Sequence, residues 1–132
     1  MNDNKRTIKV CGKDVEMLYC AATETGYESI SGKSAGVFIP PVIGKDEEGK
    51  DIYGRACATI GDFLILANAA IIAAYARDNR TEPVSTEDIL YNASAEDIEM
   101  LIDTVIQLRK KWYHVPEVVK EEKPKSEESS KN

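Results

Sequence analysis

The chain has 132 residues, 30% of them charged, and a formal net charge of −6, which supports one domain and disfavours binding to nucleic-acid phosphate. Arg109-Lys110-Lys111 is the only cationic cluster, so no basic stripe exists. Cys11, Cys20 and Cys57 form an odd set without CxxC spacing, which argues for a reduced, intracellular setting rather than a disulfide framework.

The N-terminus lacks the apolar stretch of a signal peptide and leads directly into β-prone sequence, so a cytoplasmic location is expected. Thr7 to Cys11 and Val15 to Cys20 alternate polar and apolar residues and predict a β-hairpin over 7–20, with Gly12-Lys13 as its two-residue turn. From Ala21 to Ser31 the period becomes helical, with Ala22, Tyr27 and Ile30 on one face and Gly32 at the stop. Gly26 is unfavourable there, costing about 1 kcal/mol against Ala. Val37-Phe38-Ile39-Pro40-Pro41 is expected to be extended, because each proline restricts the residue before it. Lys45 to Asp51 is charged and reads as an exposed loop or hairpin tip.

Phe63 to Ala76 is the most distinctive stretch: only Asn68 interrupts an otherwise apolar run. At about 1.5 Å per residue this run is ~21 Å long, too short for a ~30 Å hydrocarbon core, and Asp62 and Arg77-Asp78 close its ends. It predicts a helix over 60–77, buried by protein on several sides rather than by a membrane. Thr59 with Asp62, Ser85 with Asp88 and Ser94 with Asp97 have capping-box spacing, which starts helices at about 60, 86 (to 91) and 95 (to 113). In the last one Ile98, Leu101, Ile102, Val105, Leu108 and Trp112 form a core-facing stripe. The fold class is α+β: a mainly α-helical domain over 1–116 with an N-terminal β-hairpin. A charged tail over 117–132, expected to be disordered, contributes −1 and leaves −5 on the domain.

No residue set marks an active site. Gly32-Lys33-Ser34 lacks the earlier glycine of a phosphate-binding loop, since position 27 is Tyr, and it follows a helix rather than a strand. A helix C-cap followed by a lysine is the better reading. His114 stands alone, without the spacing of a metal site. Cys11 and Cys20, on β-prone runs, read as small core residues. Glu96, Asp97 and Glu99 suit the dipole of a first helical turn. Neither enzyme activity, nor metal, nor cofactor is expected.

Two features exceed what a small core needs: the helix apolar on nearly every face, and the Val37–Ile43 segment, a Pro-interrupted apolar stretch of the kind used as a docking arm. From these two, Phe38, Ile39, Phe63, Leu66, Ile71, Ile72 and Tyr75 are the expected partner-binding residues. Ile72→Asp or Leu66→Asp is expected to unfold the chain or abolish association.

The order of the pieces resembles the tail assembly chaperones of long-tailed bacteriophages and prophages. The likeness runs from about Thr7 to Pro116: the Thr7–Val15 hairpin, the Ala21–Glu28 helix closing on Gly32-Lys33-Ser34, the Ala69–Tyr75 central helix, and Ser85–Leu90 before the final helix. The resemblance implies a non-catalytic protein that binds the long, helical tape-measure protein and keeps it soluble while the tail tube assembles. It also implies a homo-oligomer, and a charged tail that a longer, frameshifted form would continue. The other readings are a small tail or head-completion protein of the virion, a small DNA-binding regulator suggested by the Thr86–Tyr91 helix, and an enzyme with Cys57 or Cys20 beside His114.

Overall fold

The computed structural model describes residues 4–114; the expected tail over 117–132 lies outside the described residues. The α+β class and the N-terminal hairpin are present.

Strands β1 (Lys5–Val10) and β2 (Lys13–Leu18) pair antiparallel with Ile8 opposite Val15 and Val10 opposite Lys13. The two turn residues are therefore Cys11 and Gly12, not Gly12-Lys13 as expected. Both have positive φ, 54° and 79°, which matches the primed turn whose twist suits paired strands. The hairpin's apolar face, with Val10, Val15 and Met17 fully buried, lies on the helices.

Helix α1 (Ala21–Ser31) starts where Thr23 Oγ1 accepts from Cys20 N at 3.1 Å and donates to Leu18 O at 2.7 Å. Gly32 ends it in the left-handed region, at φ 74°. At Gly26 α1 passes close to the next helix: a Cβ there would stand 3.4 Å from Ala69 Cβ, a contact the two helices can hold.

Ala35–Phe38 forms a 3-10 turn capped by Ser34 Oγ, which accepts from Gly36 N. The expected extension thus fails at Val37 and Phe38 and holds at Ile39 (φ −97°, ψ 123°), since proline constrains only its immediate predecessor. After Pro40-Pro41, β3 (Val42–Lys45) and β4 (Asp51–Tyr53) form a second two-stranded sheet with the charged stretch at its tip.

Helix α2 (Ile60–Arg77) begins with the expected box: Thr59 Oγ1 accepts from Asp62 N, and Asp62 Oδ2 accepts from Thr59 N. It packs against α1, β2 and α4 (Ala95–Trp112) and so lies at the centre of the fold. Its 18 residues make it long and apolar enough, by length and composition, to cross a membrane, but half of it is buried within this fold. Ile60 to Asp62 and Arg77 add the length that the apolar run lacks.

Asn68, the one polar interruption, is buried and donates through Nδ2 to Thr86 Oγ1 at 2.9 Å. That bond anchors α3 (Thr86–Asn92) to α2. Both remaining capping boxes form, and Asp97 Oδ2 accepts in addition from Cys11 N at 3.3 Å. Leu101, Val105 and Leu108 are fully buried, whereas Ile98, Ile102 and Trp112 are half-buried at the edges of the stripe.

Candidate functional site

The seven expected partner-binding residues divide. Leu66 and Ile71 are wholly enclosed by the chain itself, and Tyr75 and Phe38 nearly so. These four are corrected to core residues. Tyr75 is held by its hydroxyl, which accepts from Glu16 N at 3.0 Å, and by Arg80 stacked 4.5 Å from the ring. Phe38 enters the core from its 3-10 turn, edge-on to Tyr27 with centroids at 4.9 Å and 5.0 Å from Phe63. Phe63 is half-buried, while Ile39 and Ile72 remain exposed.

The apolar surface that is left lies chiefly in places the helix pattern did not reveal. On the second hairpin Val42, Ile43, Ile52 and Tyr53 are all exposed, Ile43 at 67% and Tyr53 at 62%. With Ile39 they make an arm whose two strands pack chiefly on each other. The sequence signal was available: two apolar pairs, Val42-Ile43 and Ile52-Tyr53, flank the charged tip.

The second surface is a groove of about 350 Å³ between α1, α2 and α3, lined by Ile30, Gly61, Leu64, Ile65 and Leu90 with Asn68 at its base. A shallower depression of about 200 Å³ shares Ile30 with it and runs past Ala22 and Gly26 to Ile72. Ile65 and Ile72 lie seven residues apart on α2 and mark a stripe that the rest of the fold leaves partly uncovered. A third groove of about 240 Å³ lies on another side, where Phe38, Pro40 and Phe63 meet Ile106, Arg109 and Lys110 of α4.

The charged networks hold the fold. Asp62 is buried and also accepts from Tyr27 Oη at 3.0 Å and Lys33 Nζ at 3.1 Å. The Thr59 amide above all, with Lys33 and Tyr27 assisting, holds its carboxyl down at about 2 despite burial. Lys33 of the rejected phosphate motif is thus a tether to α2. Glu16 is likewise held at about 2, by Arg80 first and then by Lys5. Glu24 accepts from both Tyr19 Oη (2.8 Å) and Tyr113 Oη (2.6 Å), joining α1 to the end of α4.

The cysteines are less buried than expected: Cys11 and Cys20 are half-buried and Cys57 is exposed. None of the three grooves is lined by cysteine or histidine. Among the described residues no group of three His, Cys, Asp or Glu side chains is placed to hold a metal. What the surface offers is apolar contact. Comparisons with family models, with curated proteins and with solved structures find no match to this chain.

Proposed function

We propose that this chain is a non-catalytic tail assembly chaperone, a cytoplasmic protein that binds a tape-measure-like helical client and keeps it soluble while a tail tube forms. The observation that carries this reading is the pair of unpartnered apolar surfaces, the Val42–Tyr53 arm and the groove along α2. An apolar groove between helices takes the hydrophobic face of an amphipathic helix, with anchors spaced three or four residues apart. A sheet edge with free backbone groups adds an extended segment or a further copy of the chain. Together they suit a holdase that oligomerises around a long client. The acidic charge keeps such a protein soluble.

The test is co-expression with a tape-measure protein encoded beside this gene. The client is expected to become soluble and to co-purify with the wild-type chain. Ile43→Ser with Tyr53→Ser on the arm, or Ile65→Asp in the groove, is expected to reduce recovery of the client at least tenfold without unfolding the chain. A client that stays insoluble with the wild type, or full recovery with both variants, refutes the proposal.

A second reading, a small structural protein of the virion, is favoured by the open edges of the β3–β4 sheet, which suit permanent strand addition between subunits. Its presence in purified particles would establish that reading in place of the first.

A further inference from the structure

The third groove differs from the other two in carrying charge. Phe38, Pro40, Phe63 and Ile106 form its apolar walls, and Arg109 and Lys110 stand at its rim. Among the described residues, neither cation has a carboxylate partner within ion-pair distance. The Arg109 guanidinium stacks 4.8 Å from the Tyr113 ring, and its Nε is buried with no acceptor. Cations in a last helical turn are favoured by the dipole, but the dipole does not explain their placement beside an apolar groove. On a chain of net charge −6 this is an unusual surface, and it asks for a ligand with apolar side chains and carboxylates close together.

Such a segment follows α4 directly. Val115, Val118 and Val119 are interspersed with Glu117, Glu121 and Glu122; with Lys120 the stretch 115–122 has a net charge of −2. The chain reaches it through His114, whose φ of 57° is the left-handed conformation that turns a chain away from a helix axis. Ile106 lies eight residues before His114, about 12 Å back along α4 at 1.5 Å per residue. Four extended residues span about 13 Å, so Val118 can reach the groove. A tether this short keeps the segment at millimolar effective concentration or above, so weak contacts suffice.

We propose that residues 115–122 of this chain dock in the Phe38–Phe63–Ile106 groove. The valine side chains lie against the paired rings and Ile106, and the glutamate carboxylates of the segment face Arg109 and Lys110. The docked segment covers this groove, leaving the arm and the α2 groove open to a client. The proposal does not depend on the identity of that client.

The test is methyl NMR of the full-length chain labelled at Ile and Val. Contacts are expected from the Val118 and Val119 methyls to the Phe38 and Phe63 rings or the Ile106 δ-methyl. They are expected to vanish, and the Val118 and Val119 shifts to move to random-coil values, in Arg109→Glu with Lys110→Glu. The variant Glu117→Lys with Glu121→Lys lies outside the described fold and is expected to do the same even if the first variant folds poorly. The Val105 shift reports that the core is intact. Absence of these contacts in the wild type, their persistence in the tail variant, or contacts only between chains in a mixed-label sample would overturn the proposal. Failure here leaves client co-purification untouched.

Discussion

Asp62 illustrates how one side chain joins several levels of this molecule. It closes the capping box of α2, accepts the Tyr27 hydroxyl of α1 and pairs with Lys33 beyond that helix, all while buried. Asp62→Ala removes the acceptor for the Thr59 amide, the buried acceptor for the Tyr27 hydroxyl and the partner of Lys33, while the Thr59 Oγ1 half of the box persists; it is expected to lower stability by about 2 kcal/mol in urea denaturation. A loss below about 0.5 kcal/mol would show that the network is replaceable by water. The pH dependence follows with a definite sign. Asp62 and Glu16 both titrate near 2 in the fold, below their ordinary values of 3.8 and 4.5. Their contribution is therefore complete above about pH 5 and falls as pH drops through the range from about 4.5 to 2. Thermal unfolding is expected to shift to lower temperature across that window. A flat profile there would contradict both carboxylate assignments.

At the scale of elements, local chemistry decides starts and stops more firmly than it decides surfaces. All three predicted capping boxes form, because a side chain and an amide three residues apart meet without help from the rest of the fold. The first hairpin shows the limit of local reading. Glycine marked the turn but not which neighbour shares it; the structure selects Cys11, at φ 54°, so that the Val10, Val15 and Met17 face meets the helices. A Cβ at Gly12 would have no atom within 4 Å, so a side chain there meets strain and no clash. Gly12→Ala is therefore expected to cost about 1 kcal/mol through backbone conformation alone, read as a shift in the urea midpoint with unchanged slope.

For the whole molecule, the apolar helix has a different meaning from the one its composition suggested. β2, α1 and α4 cover most of α2, and its remaining stripe at Ile65 and Ile72 borders the groove. The two aspartate substitutions, equivalent by sequence, therefore separate. Leu66→Asp forces an unpaired charge into a fully enclosed site and is expected to abolish folding by circular dichroism. Ile72 is 37% exposed, so Ile72→Asp is expected to cost less than about 1.5 kcal/mol and to leave a folded chain. If Ile72→Asp unfolds as completely as Leu66→Asp, the exposed stripe on α2 is wrong.

Sequence alone determined the class, the helix starts, the presence of the first hairpin though not its turn, and the core stripe of α4, since each depends on neighbours a few residues apart or on a repeating period. It also marked the Val37–Ile43 stretch, yet it placed Phe38, Leu66, Ile71 and Tyr75 on a partner surface. Tertiary structure assigned those four to the core and moved the open apolar surface to Ile43, Tyr53 and the groove at Leu64, Ile65 and Leu90. It also explained Asn68, whose reason lies in Thr86 on another element. Periodicity records that a residue is apolar, but what covers that residue depends on segments distant in the chain, and only folding brings those together.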